Sequence, residues 1–420
     1  MGAKNLTDVE REAVLREVFL KSNARAKKQG VADGNMSASV ASKKKGRVGR
    51  KKAYTTEQVK TKLLEVPLED RTSLRSIAEK TGIKLATLHR YLRLGMFRAH
   101  SSSIRPMLTD ANKYARLKYA ANKVGPDMMM DAMLDCVHLD EKWFYITRET
   151  RKFYLVPGEK GPDRKCKNKR FITKVMFLSA VARPRYVDET DQWWDGKIGT
   201  WPFTAVVPAM RTSVNRVAGS LETKSINVTK DVYRSFLVDR VLPAIVSKWP
   251  GPPSVRLQHD NARAHVTSCD AALCRVFDSY AVQGWQFELV AQPPNSPDTN
   301  VLDLGFFAAI QSLQHRKSAR TIDQLVSNVV RAFDEYPLEG LERTFLTLQA
   351  CLIEVLRDGG DNTFKIPHQS KDKLARKGRL PLNATCPMDV YETAKLKLRS
   401  SDAAAMERKM ADEVCEAREA

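Results

Sequence analysis

The sequence predicts an α/β domain preceded by an all-helical region. Three observations predict it. Short apolar, strand-like runs begin near residue 130, helical stretches interleave with them further on, and three short helices broken by a glycine fill residues 55–95 upstream. At 420 residues the chain is long enough for two or three domains, and at 43% apolar residues it can bury a sizeable core.

The charge balance points to a polyanion. Lysines and arginines number 70 against 49 acidic residues, a formal charge of +21. An excess of that size suits nucleic acid first and an anionic membrane surface second. The seven cysteines are scattered without paired spacing, so neither a disulfide framework nor a cysteine-based zinc site is expected, and the compartment is expected to be reducing. No signal-peptide pattern and no long uncharged apolar run occurs, so neither secretion nor a membrane partner is expected.

The first segment, 1–53, reads as a helix and a basic linker. Thr7 and Glu10 form a capping box, and Val9, Ala13, Val14 and Val18 repeat at helical spacing over 6–22. The linker ends in a basic run over 43–52, in which Arg47, Arg50, Lys51 and Lys52 are candidate DNA contacts or part of a nuclear import signal. Residues 54–100 then read as a helix-turn-helix. A helix from Thr55 or Thr56 carries Val59, Leu63 and Leu64; a second follows the N-cap Ser73; Gly82 breaks the chain; and a third begins near Lys84. On the third helix Leu85, Leu88 and Leu92 share a stripe, leaving Lys84, Arg90 and Arg93 free to meet phosphates or base edges in a major groove. A plain three-helix bundle shares the pattern, but the basic last helix and the basic arm before it favour DNA.

A connector over 101–130 leads to a domain over 131–345. Strand-like runs are expected at 136–139, 152–156, 175–181 and 255–259, and helices around 265–277, 303–315 and 321–335. Residues 186–225, rich in tryptophan and glycine, read as a loop insertion, its tryptophans more readily anchoring loops than meeting DNA. A helical region, 346–420, completes the chain and ends in a charged helix over 400–420 to which no role is assigned.

Three aspartates stand where chemistry is possible. Asp140 is read at the end of the first strand-like run and Asp260 at the end of another, where rigid backbone holds a carboxylate beside a cleft. Asp303 opens a helix whose core stripe runs through Phe306, Phe307, Ile310 and Leu313, which turns Asp303 inward. Taken alone, Asp303 reads as a capping residue with Asn300. Beside the other two it reads as a ligand. Three converging carboxylates repel unless a cation lies between them. Hard oxygen donors suit Mg²⁺ or Mn²⁺, and two such ions about 3.5–4 Å apart can clamp the attacking and leaving oxygens of a displacement at phosphorus. His259 and His265 flank Asp260, but no further ligand approaches at zinc spacing, so they read as packing partners or supports of the aspartate. Glu141 is placed on the opposite strand face from Asp140, and Asp298 in a local turn, with both kept as reserve ligands.

At these residues the sequence resembles the Tc1/mariner superfamily of cut-and-paste transposases, most closely its plant-type mariner-like branch. The matching pieces are His138–Phe144, Trp194–Phe203, Leu242–Ile245, His259–His265, Pro293–Phe307 and Asp361-Asn362, with Pro106–Thr109 and Asn112-Lys113 in the segment that joins the two parts. The helix-turn-helix region resembles the family as well, so that the resemblance covers roughly 43 to 395, and the order of the pieces is far more specific than any one of them. The resemblance implies an RNase H-like catalytic domain of the DDE/D type, with Asp140, Asp260 and Asp303 as its metal-binding triad. It also implies double-stranded DNA partners (inverted repeats and a short TA target), synapsis as a homodimer, and work in the nucleus. The sequence departs from the family in two ways. Forty-two residues separate Asp260 from Asp303, slightly more than the plant-type pattern, a difference that a loop around Ser279–Gly284 is expected to absorb. Only one complete helical DNA-binding unit is legible where the family carries two. A catalytically idle, domesticated DNA-binding descendant is therefore the competing reading. A nuclease acting on RNA ranks behind both for want of interleaved aromatics.

Overall fold

A computed structural model describes residues 53–100, 104–147, 172–212, 217–367 and 369–419, with isolated positions in 9–17 and 156–168. The described positions among 9–17 are helical, as the reading of 6–22 expects. The rest of that segment, the strand expected at 152–155, and Arg47, Arg50, Lys51 and Lys52 lie outside the described residues.

The chain divides into two compact units, Met1–Ser103 and Ile104–Ala420. In the first, α1 (Thr56–Leu64) starts at Thr55, whose hydroxyl accepts from the Gln58 amide while the Gln58 side chain returns to the Thr55 N–H. Ser73 caps α2 (Leu74–Thr81) through the Ser76 amide. Gly82 then turns the chain at φ +69°, where a side chain is disfavoured, into α3 (Leu85–Arg93). Val59, Ile77, Ile83, Leu88 and Tyr91 are buried between the three helices, and Lys84, Arg90 and Arg93 are exposed. Three short helices broken at Gly82 stand where the sequence places them.

The second unit opens with α4 (Asp110–Ala121), capped by Thr109. Five strands form its central sheet: β1 (Cys136–Tyr145), β2 (Lys174–Ala182), β5 (Lys197–Pro202), β8 (Ser254–His259) and β9 (Gln286–Ala291). Their spatial order is β5-β2-β1-β8-β9. The β2 strand runs antiparallel to both β1 and β5, whereas β8 is parallel to β1 and β9 to β8. Numbered along the chain, the sheet reads 3-2-1-4-5 with only the second strand reversed, which is the RNase H-like arrangement. Two small hairpins stand outside it, β3 (Arg185–Val187) with β4 (Gln192–Trp194) and β6 (Thr204–Pro208) with β7 (Leu221–Ser225).

Side chains alternate between the two faces of β1. Val137 and Leu139 meet one layer, in which Tyr233 of α5 (Lys230–Phe236), Leu242 and Ile245 of α6 (Leu242–Lys248) and Leu273 of α7 (Ala271–Ala281) are buried. Cys136 and Phe144 meet the other layer, built from α8 (Phe307–Gln314), α9 (Ile322–Glu335) and α10 (Leu338–Arg357), with Phe306, Phe307, Phe333, Phe345 and Leu348 in its core. Three helices complete the chain: α11 (Lys371–Arg376), α12 (Met388–Ser400) and α13 (Ala403–Glu419).

The structure departs from the sequence pattern in several places. Residues 186–225 are not a loop insertion, because β5 within them is an edge strand of the central sheet. Its motif is glycine-rich for steric reasons. A Cβ on Gly196 would stand 2.1 Å from the Ala182 carbonyl oxygen, and one on Gly199 would stand 2.3 Å from the Trp201 ring. Trp194 and Trp201 anchor this segment against the core, whereas Trp193 is 55% exposed. The boundary at 345/346 falls inside α10, whose burial continues through both positions. Residues 265–270 precede α7 rather than belonging to it, and Ser279 lies in that helix, so only 282–285 form a turn where a longer loop was expected.

Candidate active site

Asp140 lies in the middle of β1, not at a strand end, because pairing with β2 continues from Val137 to Tyr145 and sets Asp140 opposite Ser179. The expectation erred for a simple reason: charged residues follow Asp140, yet the ladder to β2 runs on. On its other side β1 pairs with β8 only as far as His138. Beyond that point the flank of Asp140 is released, and β8 ends at His259 with Asp260 the next residue. The third aspartate, Asp303, sits in the π-helical turn Leu302–Phe306 that leads into α8. Phe306, Phe307 and Ile310 pack inward as the stripe predicts, but Asp303 itself is exposed rather than turned inward. It shares a cleft of about 330 Å³ with Asp260, Asn295 and Glu413.

Hydrogen bonds fix these carboxylates unequally. Asp140 is 8% exposed. The Glu141 amide donates to its Oδ1 and Asn300 Nδ2 to its Oδ2, both at 2.7 Å. Asn300 is held in turn by its Oδ1, which accepts from the Leu302 amide, so it orients the catalytic candidate rather than forming a capping box with Asp303. Asp260 Oδ1 accepts from the Ala262 amide and from His265 Nδ1, each at 2.8 Å. Among the described residues, Asp260 Oδ2 and both Asp303 oxygens have no hydrogen-bond partner.

Glu141 points to the face opposite Asp140, as the strand period requires, and there it acquires a role that the sequence reading left open. His265 Nε2 stands 3.0 Å from both Glu141 carboxylate oxygens. One imidazole therefore bridges Glu141 on β1 to Asp260 beyond β8. The His265 ring stacks against both Tyr233 and His259, with ring centroids 4.1 and 5.1 Å away, and the Tyr233 hydroxyl lies 3.2 Å from His259 Nδ1. Of the two histidines, His265 thus holds the aspartate directly, and His259 packs against the Tyr233 and His265 rings.

Electrostatics match this geometry. Burial, followed by the charges of Asp303, Glu141 and Asp260, raises the Asp140 carboxyl well above the ordinary range. Partial loss of hydration at the cleft wall raises Asp303, with Lys142 opposing and Asp260 adding to it. Burial pushes Asp260 upward too, but the His265 hydrogen bond and charge outweigh it and hold Asp260 below the usual value. Burial acts downward on His265, and the bonds to Asp260 and Glu141 overcome it, raising the imidazole to about 10. The folded state therefore holds a proton that the unfolded chain releases near pH 6.5. The stabilisation is complete below about pH 6.5 and is lost as pH rises toward 10. In thermal unfolding of the metal-free chain, the native melting temperature is expected to fall more steeply over that window than that of His265→Gln. Parallel profiles would show that the bridge carries no charge.

The donor set fits a hard divalent cation. Three carboxylates oppose one another's ionisation, and two of them present free oxygens to an open cleft. As placed, no group of three His, Cys, Asp or Glu side chains among the described residues is close enough to hold one ion, so binding requires the carboxylates to draw together.

The surrounding wall is built by residues that the sequence reading assigned elsewhere or not at all. Asp298 takes no local turn role: Arg116 of α4, fully buried, holds its two oxygens at 2.6 and 2.7 Å. Arg116 Nε also donates to the Gly360 carbonyl. Gly360 has φ +97°, and a Cβ there would stand 2.1 Å from the Lys113 carbonyl oxygen, so the turn before Asp361-Asn362 can pack on α4 only as glycine. The charged C-terminal helix α13 also finds a place. Thr109 and Asn112 donate to Glu413, and Asn295 donates to Asn112.

The fold and site together define an RNase H-like domain carrying a trio of carboxylates. In three dimensions the chain is similar to the crystal structure of a pre-cleavage Mos1 transpososome, at 16% identity over 86% of this chain and 100% of that one, with a TM-score of 0.49. It is similar as well to the Mos1 mariner paired end complex with Mn (17% identity, 86% and 94% covered, TM-score 0.49) and to the catalytic domain of Mos1 mariner transposase (15%, 63% and 100%, TM-score 0.40). No protein-family model matches this chain, and no curated protein does.

Proposed function

We propose that this chain is a DNA transposase of the Tc1/mariner superfamily, in its plant-type branch, acting in the nucleus as a homodimer on double-stranded inverted repeats and target DNA. One juxtaposition carries the reading: Asp140 from β1, Asp260 beyond β8 and Asp303 before α8 bias one another's ionisation beside one open cleft. Asp140, Asp260 and Asp303 are the residues that would hold Mg²⁺ or Mn²⁺. Divalent ions there supply Lewis acidity to the attacking and departing oxygens of an in-line displacement at phosphorus. The chain's own part is positional. Asn300 and the Glu141 amide fix Asp140, while His265 and the Ala262 amide fix one oxygen of Asp260 and leave the other for a ligand. Lys84, Arg90 and Arg93 on the helix-turn-helix, with Arg47, Arg50, Lys51 and Lys52 in the arm, are the proposed contacts to the repeat. Among the described residues no helix is long and apolar enough to cross a membrane.

The test is a cleavage assay on a plasmid carrying the genomic sequence that flanks the gene. With Mg²⁺ or Mn²⁺ the purified chain is expected to cut at both flanks and join the freed ends to a second plasmid, and with a chelator to do neither. Sequence-specific binding without cutting under any divalent ion would leave the domesticated DNA-binding reading in its place.

A further inference from the structure

A basic trough adjoins the carboxylate cleft at Asp303. Its first part, about 580 Å³, begins at Asp303 and Leu304 and passes Arg105, Pro106, Phe364 and Lys365. Its second part, about 480 Å³, is lined by Arg343, Thr347, Lys371, Lys373 and Arg376. Ile366 borders both, so the two parts adjoin.

The charges along this path are one-sided. Of the carboxylates that line it besides Asp303, Asp298 is consumed by Arg116 and Asp372 pairs with Arg343 at 2.8 Å. Lys365, Lys373 and Arg376 are exposed, and none of them makes an ion pair with a described carboxylate. The walls are built rather than loose. Arg105 donates to the Asn362 carbonyl, Asn362 returns a hydrogen bond to the Pro106 carbonyl, and Lys371 donates to the Arg343 carbonyl at 2.6 Å and to the Thr347 hydroxyl. Leu304, Phe364 and Ile366 add apolar atoms to the same lining.

Cations beside apolar side chains suit the backbone of duplex DNA, whose phosphates meet the charges while its sugars pack on the apolar atoms. We propose that this trough holds the DNA strand that leaves the reaction centre, with Lys365, Lys373 and Arg376 as its phosphate contacts. The inference rests on the transposase reading only for placing the reacting phosphate at Asp303. Helix α3 and the arm account for holding the repeat, and the trough aligns the strand to be cut.

The full chain with Lys365→Gln, Lys373→Gln and Arg376→Gln tests this. Each neutralised phosphate contributes about 0.9 to the slope of log affinity against log salt for duplex DNA. The triple variant is therefore expected to lower that slope by about 2–3 relative to the native chain while melting at the native temperature. A control triple, Lys230→Gln, Arg240→Gln and Arg275→Gln, removes the same charge from exposed positions on the opposite helical layer, and its slope is expected to match the native one. A native slope in the trough variant, or an equal drop in the control, overturns the trough. Cleavage by the native chain is scored on the same DNA. If it cuts, the transposase reading stands whatever the slopes show; if it binds without cutting, that reading fails and the slopes still decide the trough.

Discussion

Asp140→Asn, Asp260→Asn and Asp303→Asn are each expected to lower metal-dependent DNA cleavage by on the order of a thousandfold or more. Each change replaces a charged oxygen donor with a neutral amide at a position where the other two aspartates supply the remaining ligands. DNA affinity is expected to hold or rise slightly, because each substitution removes a negative charge beside a polyanion. The three variants are not equivalent in the metal-free protein. Asp140 ionises against burial and against the charges of Asp303, Glu141 and Asp260. Neutralising Asp303 therefore relieves Asp140, and Asp303→Asn is expected to melt no lower than the native chain. Asp260→Asn deprives His265 of a charged partner and is expected to melt lower. Cleavage at native rates by any one variant would remove that residue from the triad. Melting temperatures in the reverse order would contradict the electrostatic account even if cleavage were lost.

Asp298→Ala is expected to destabilise the second unit by roughly 3–5 kcal/mol, because it leaves the Arg116 guanidinium buried without its carboxylate. The melting temperature should fall by on the order of 10 °C. This exceeds what a surface ion pair contributes, since the Arg116 side chain is fully buried and Asp298 only 15% exposed. The double variant Arg116→Met with Asp298→Leu removes both charges and is expected to recover much of the loss, because apolar groups of similar volume can replace a buried pair. The pair ties α4 to the turn that carries Asn300 and Asp303, so the single variant should also slow cleavage, whereas the double variant separates stability from positioning. A fall of under about 1 kcal/mol in Asp298→Ala would show that the pair is not closed as described.

The three helices between Thr56 and Arg93 were legible because their signals are local: the Thr55 and Ser73 caps, the Gly82 break and the leucine stripe each act within a few residues. Most of the central strands were legible for the same reason. The β5 strand was not, because Trp, Gly and Pro in that segment read as loop, and only pairing with β2 makes Gly199 part of a strand, with Gly196 turning the chain just before it. The three aspartates could be singled out from strand ends and a helix start, yet Asp140 proved to lie within its strand. Partners far away in sequence stayed hidden. Arg116 and Asp298, Glu141 and His265, and Glu413 and Asn112 are joined by tertiary packing, and no periodicity reports such pairs. Glu141 was correctly placed on the face opposite Asp140. What it meets there depends on the loop after β8, which local pattern does not define.

The central claim is that Asp140, Asp260 and Asp303 together hold divalent ions. Anomalous diffraction at the manganese edge, from crystals of the full chain grown with Mn²⁺, tests it most directly. The account predicts manganese peaks liganded by all three aspartates, with Asp260 still joined to His265 through its other oxygen. Manganese bound elsewhere, or peaks that leave any of the three aspartates unliganded, would contradict it.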